Sequence, residues 1–284
     1  MLTRVVWVKF PKVGSAFAST VVGYACNASV CASTKRGVQT PAGCDIARAR
    51  RVLTVDAWEP GTSSFVGWFE RPVEARQWAD RVLGLFRDPW ARRRSEFLYF
   101  TRGGTNCSTK FGGFLPRALY GGVARIVCDV TRSLESRWDE YSRWSTPYRG
   151  CQTNYLVGRS CFSGTPSAGQ TALALERVAR MEFVGLQAEF AQSVCLFHAR
   201  YGGVEFENEY DLNHTSAADG IASFPPPDDA ADDPDTRTYL AAARRFRKDL
   251  AVHASRCSVA AIAARLSRCA PARVCEDASP TGVG

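Results

Sequence analysis

The sequence predicts an α/β fold built around a mainly parallel sheet, and three observations carry that expectation. Short β-branched or aromatic runs recur along the chain, at residues 4–10, 51–58, 63–69 and 180–185. Stretches with apolar residues at helical spacing lie between them, the pattern of crossover units with strands running the same way. No internal repeat interrupts that alternation.

The first element, "RVVWVKF" (4–10), is a β-branched strand; Gly14 and Ser15 then make a turn into a helix over 16–26. Residues 27–50 are polar and contain Gly and Cys, which suits a loop with some helix. "RVLTVDAW" (51–58) and "SSFVGWF" (63–69) read as strands separated by the turn signal Glu59-Pro60-Gly61. After Pro72 the apolar set Trp78, Val82, Leu85 and Phe86 recurs at helical spacing and predicts a helix over 73–87. Residues 101–122 are glycine-rich and read as an irregular connection, followed by one helix over 123–143. "RMEFVG" (180–185) is a fourth strand, leading into a helix whose Phe190, Val194, Phe197 and Tyr201 share a face and which stops at Gly202. An acidic, proline-bearing loop (204–235) precedes an amphipathic helix over 236–254. The sequence divides into one domain, residues 1–256, and an Ala/Arg/Cys-rich tail, residues 257–284, expected to pack loosely.

The chain has 284 residues and 45% apolar content, enough for a substantial core, so disorder is not the default. Its net charge of +8 favours acidic partners, whether nucleic acid, an anionic cofactor or a sulfated or carboxylated glycan. The 11 cysteines contain no C-x-x-C, which disfavours a zinc ribbon or a thioredoxin-type motif, and their odd number leaves at least one thiol unpaired. Three glycosylation acceptors, at Asn27, Asn106 and Asn213, join the cysteines in pointing to an oxidising, secretory compartment. No leader or membrane span is visible in the chain, so residence there calls for a leader or tether outside it.

The stretch with the most chemistry in it is "FPKVGSAF" (10–17), where a strand ends in a lysine, a glycine and a serine before a helix. A glycine turn entering a helix aims several backbone N–H groups at one point, the helix end adds partial positive charge, and Lys12 adds a full one. Phosphate or sulfate is the natural occupant; a solvated Lys12 with Ser15 as a plain N-cap is the alternative. No G-x-x-x-x-G-K-[ST] and no G-x-G-x-x-G after a strand occurs, which disfavours an ordinary nucleotide triphosphatase and a dinucleotide site. His198, His214 and His253 are too dispersed for a local metal motif, and His198 sits on an apolar helix as a core residue.

Several segments, taken in order, carry a family resemblance. "VKFPKVGSAF" resembles the 5′-phosphosulfate loop of sulfotransferases, in which Pro-Lys-x-Gly-[GST] follows the first strand. "SFVGWFERPVEARQWADRVL" is similar to the strand–helix segment that the family writes Leu-Arg-Asp-Pro-Val-Glu-Arg, with a serine one turn later. "CQTNYLVGRSC" (151–161) and "FVGLQAEFAQSVCLFHARYGG" resemble segments of glycan and algal-type members, and "DPDTRTYLAAARRFRKDL" resembles their closing helix. The resemblance runs from about residue 4 to 250.

It implies a P-loop-like three-layer fold, with a central mainly parallel sheet flanked by helices. It further implies transfer of a sulfuryl group from 3′-phosphoadenylyl sulfate to a hydroxyl or amine of a carbohydrate acceptor in the Golgi or secretory lumen, without nucleic acid or metal. Lys12 would meet the 5′-phosphosulfate and stabilise charge on the bridging oxygen, with Pro11, Val13, Gly14, Ser15, Ala16 and Phe17 completing the cradle. Gln152 and Thr153 would lie near the nucleotide. The alignment on Pro72 departs from the family at the 3′-phosphate site, because it puts Glu70 where the phosphate-binding arginine stands and Trp78 where the serine stands. Arg71 or Arg76 would then have to serve instead. The general base is open as well: Asp56 at a strand end is the candidate, with turn capping as its alternative role. Cys151 and Cys161 flank the Gln-Thr segment and are read either as a disulfide or as buried thiols. A degenerate, non-catalytic glycan- or nucleotide-binding relative is the second reading, and a small-molecule kinase with an atypical phosphate loop the third.

Overall fold

A computed structural model describes residues 5–8, 81–101, 117–201 and 231–266. Within them lies a three-stranded, all-parallel sheet in spatial order β1 (Val5–Val8), β2 (Arg81–Phe86) and β3 (Phe183–Leu186). Val5 stands opposite Arg81 and Val8 opposite Gly84, while Leu83 stands opposite Phe183 and Phe86 opposite Leu186. β2 is therefore paired on both edges. The α/β class read from the sequence holds.

Residues 81–86 correct one expectation: they are a strand, not the second half of a helix over 73–87. Val82, Leu83, Leu85 and Phe86 are all at most 3% exposed. A strand covered on both faces shows a continuous apolar run with no alternation, and such a run also matches part of a helical pattern. The Arg-Asp-Pro that follows ends the strand and starts α1 (Pro89–Thr101).

The helix expected over 123–143 is two helices, α2 (Tyr120–Val127) and α3 (Leu134–Ser145). Between them Asp129 accepts from the backbone N–H and the hydroxyl of Thr131, and Ser133 caps α3 by accepting from Ser136 N. These local side-chain bonds compete with helix continuation. A short α4 (Cys151–Leu156) and α5 (Ala168–Arg180) follow, the latter opened by a capping box of Ser167 and Gln170. β3 leads through a single 3-10 turn into α6 (Phe190–Tyr201), as expected. α7 (Pro234–Val252) begins at the N-cap Asp233, and α8 (Ala254–Cys257) and α9 (Val259–Leu266) close the described chain.

Two apolar cores result. One joins the sheet to α4–α9 through residues such as Phe183, Phe197, Val178 and Phe246. Gly185 permits the contact of β3 with its neighbours, since a Cβ there would lie 2.8 Å from Leu85 Cδ1 and 3.1 Å from Ser193 Cβ. The other core is aromatic and joins α1, α2 and α3: Phe97 sits 5.3 Å, ring to ring, from both Trp138 and Tyr141. The first ten residues of the expected tail are anchored to the larger core through Cys257, bonded to Cys195, Ile262, which is 4% exposed, and the partly buried Leu266. Ile262 and Leu266 are four residues apart on α9, one helical face, and that face packs on the core while Val259 stays exposed.

Candidate functional site at the carboxyl edge of the sheet

Parallel strands all leave the sheet at one edge, and that edge is where ligands of such folds sit. β1 and β2 are neighbours in the same direction, with Val8 opposite Gly84, so both strands run out toward the same sheet edge. The residues expected to bind or react after β1, namely Pro11, Lys12, Val13, Gly14, Ser15, Ala16 and Phe17, lie outside the described residues. So do Asp56, Arg71 and Arg76. Gln152 and Thr153 lie within them.

The exit of β2 is built as follows. Arg87 is the first residue after the strand. Asp88 is the cap of α1: its Oδ1 accepts from Ala91 N at 2.8 Å and its carbonyl from Arg92 N at 2.9 Å. Pro89 occupies the first helical position, where a missing N–H costs nothing. Burial, and then the nearby charges of Arg92 and Arg94, lower the Arg87 pKa to about 10, partly opposed by Asp88.

Gln152 holds this residue from the side. Its Oε1 accepts from Arg87 N at 3.1 Å and its Nε2 donates to Arg87 O at 2.9 Å. Gln152 and Thr153 are both 0% exposed, on the first turn of α4. That turn is entered through Gly150, whose φ of 85° and close approach to Pro166 (2.4 Å from a would-be Cβ) exclude a larger residue. The Asp235 carboxylate then takes the free N–H groups of the turn, with Gln152 N at 3.0 Å on Oδ2 and Thr153 N at 2.7 Å on Oδ1. Thr153 Oγ1 also donates to Oδ1, at 2.9 Å, and sits 2.8 Å from Thr238 Oγ1. The Cys151–Cys161 disulfide closes the segment, which decides between the two readings of that cysteine pair.

On the far side of the same network lie two buried arginines of α1. Arg92 pairs with Glu96 at 2.9 Å, both almost fully buried. Burial opposes the Arg92 charge, yet Glu96, and after it Asp235, hold its pKa above the ordinary value. Arg93 donates to Ser145 Oγ and O at 3.2 and 3.3 Å and lies 5.5 Å over the Trp90 ring. Asp233 is pushed up by burial and by Asp235, against the pull of Arg93. Tyr141, hydrogen-bonded to Glu96, is pushed well up by burial.

Among the described residues no group of three or more His, Cys, Asp or Glu is arranged to hold a metal. No described helix is long and apolar enough to cross a membrane. His198 is 2% exposed on α6, in the larger core. Two disulfides are formed among the described residues and Cys128 is disulfide-bonded too, in keeping with a secretory or lumenal location.

Sequence reasoning did not single out Arg87, the first residue after β2, or Ser95 on α1. The phrase Leu-Arg-Asp-Pro-Val-Glu-Arg plus a serine one turn on is matched better by Phe86-Arg87-Asp88-Pro89-Trp90-Ala91-Arg92 and Ser95 than by the segment around Pro72. The signal was the Arg-Asp-Pro immediately after a short apolar run, and the helical reading of that run hid it. Ser95 is half-buried on α1. Comparison with family models, with curated proteins and with solved structures gives no match.

Proposed function

We propose that the protein is a sulfotransferase that moves a sulfuryl group from 3′-phosphoadenylyl sulfate to a hydroxyl of a carbohydrate acceptor in the secretory lumen. The observation that carries the reading is the parallel pairing of β1 with β2. It turns the ends of β1 and β2 toward one sheet edge; "PKVGSAF" and "RDPWARRRS" follow those two strands in the sequence, and in this reading they serve the two ends of a bisphosphorylated nucleotide. In this reading Lys12 and the amides of the loop after β1 hold the 5′-phosphosulfate, while Arg87 and Ser95 hold the 3′-phosphate. The half-buried Arg87 guanidinium at the end of β2 suits a dianion, and the Asp88 cap fixes the start of α1 beneath it. With Arg87 in that role, Glu70, Trp78, Arg71 and Arg76 no longer bear on the 3′-phosphate, and the ground for a degenerate relative is removed.

In the reaction the acceptor oxygen bonds to sulfur as the bond from sulfur to the 5′-phosphate oxygen breaks, and the acceptor proton passes to a base, with Asp56 the candidate. The residues of the chain contribute position and fixed positive charge. Calorimetric titration with adenosine 3′,5′-bisphosphate tests the proposal. Wild-type protein is expected to bind it, and to prefer it at least tenfold to adenosine 5′-phosphate. Lys12→Ala should weaken both nucleotides; Arg87→Ala should remove the preference and leave the monophosphate. Absence of binding to wild type would sink the proposal, and a preference for ATP with magnesium would favour a kinase.

A further inference from the structure

The amide of Gln152 does for Arg87 what a neighbouring strand does for a residue inside a sheet. β2 and β3 pair as far as Phe86 and Leu186, and Arg87 is the next residue. In extended backbone the N–H and C=O of one residue point to the same side, so a single carboxamide can satisfy both. Gln152 does this, at 3.1 and 2.9 Å, from a position with no exposure to solvent. It therefore extends the ladder by one residue, up to the turn at Asp88. Gln152 is itself held by the Asp235 carboxylate, which binds the first turn of α4 through three hydrogen bonds. Asp235 belongs to the first turn of α7, and its charge also acts on Arg92 of α1. The starts of three helices thus meet around one main-chain position.

We infer that Gln152 is a positioning residue for the anion site at the end of β2, with Asp235 as its anchor. It fixes the backbone from which Arg87 reaches the 3′-phosphate and does not itself touch the nucleotide. The inference rests on the reading of Arg87 as the 3′-phosphate ligand. It gives Gln152 a different part from the one first expected of it, with one hydrogen bond from each heteroatom of its amide to the Arg87 backbone.

The ratio of affinities for adenosine 3′,5′-bisphosphate and adenosine 5′-phosphate isolates the 3′ contact, and general loosening of the fold does not change it. Gln152→Met keeps the side-chain volume and loses both hydrogen bonds. It is expected to cut the preference for the bisphosphate about tenfold and to leave monophosphate affinity within about twofold. Asn154→Ala loosens the same helix elsewhere, by removing the Asn154 Nδ2 bond to Gly164 O (2.8 Å), and should lower the melting temperature with the preference intact. Gln152→Glu supplies a second test if the methionine variant does not fold. A protonated carboxyl both donates and accepts as the amide does, whereas a carboxylate only accepts. Normalised to wild type, its preference should be near full at pH 5 and lost at pH 8, because a buried carboxyl facing a carbonyl titrates above its ordinary value. An unchanged preference in Gln152→Met, or equal losses in Gln152→Met and Asn154→Ala, overturns the positioning role while leaving the site reading in place. Wild type that binds the two nucleotides alike overturns the site reading, and the positioning role falls with it.

Discussion

At the residue scale, the chemistry under β2 is decided by which buried charges are matched. Arg92 has Glu96 at 2.9 Å, and the Asp235 carboxylate has three donors around it, but Asp233 faces Asp235 with Arg93 as its counterweight. Burial comes first in raising the Asp233 pKa and Asp235 second. The folded protein thus binds the Asp233 proton more tightly than the unfolded chain does. Stability from this residue is full below the ordinary carboxylate pKa and declines as the pH rises from there to the raised folded value. Asp233→Asn keeps a good N-cap for α7 and removes the charge. The variant should melt higher than wild type at pH 7, with the advantage shrinking as the buffer approaches pH 4. A difference that does not change with pH would refute this account of Asp233.

At the scale of elements, two covalent links do different amounts of work. Cys195–Cys257 ties α6 to α8 and closes a separation of 62 residues, whereas Cys151–Cys161 closes 10. Loop-closure entropy assigns about 4 kcal/mol to the longer link and about 3 kcal/mol to the shorter. Denaturant unfolding of the paired alanine variants should show that order, with Cys195→Ala/Cys257→Ala the less stable. The reverse order would mean that the short link, beside Gln152, holds the site by more than chain entropy. α7 is the other organising element. It lies along α5 and against β3 and α4, and Arg245 donates to Ala179 O at 2.7 Å, while Asp249 joins it to Arg200 of α6 at 2.8 Å. Its amphipathic pattern was plain in the sequence, but Asp233 and Asp235, expected in the acidic loop before it, are the buried N-cap and first turn of the helix. That one of those residues caps a different helix was not legible there, because Asp235 and Thr153 are 82 positions apart.

For the whole molecule, the parallel sheet is what makes a site out of distant segments. β1, β2 and β3 begin at residues 5, 81 and 183, so no local pattern could tell which of them would be neighbours. Under the proposed function, a nucleotide spanning the ends of β1 and β2 stabilises the native state alone. Adenosine 3′,5′-bisphosphate at a hundred times its dissociation constant should then add about 2.7 kcal/mol to the unfolding free energy. A melting-temperature rise in wild type that shrinks in Arg87→Ala at the same nucleotide concentration is the expected result, and an equal rise in both would place the nucleotide elsewhere.

By itself the sequence determined the α/β class, the strand at its start, the strand–helix unit of β3 and α6, and the closing helix, because each is written in local periodicity and punctuation. It also pointed to the Gln-Thr segment, but not to its task. The tertiary structure alone decided that 81–86 is a strand, since a doubly covered strand has no alternation to read. That brought Arg87 to the edge where β1 also ends. Likewise, only packing could show that Gln152 spends its amide on the Arg87 backbone and that Asp235 holds Gln152. Hydrogen bonds between residues 65 and 83 positions apart leave no trace in local pattern.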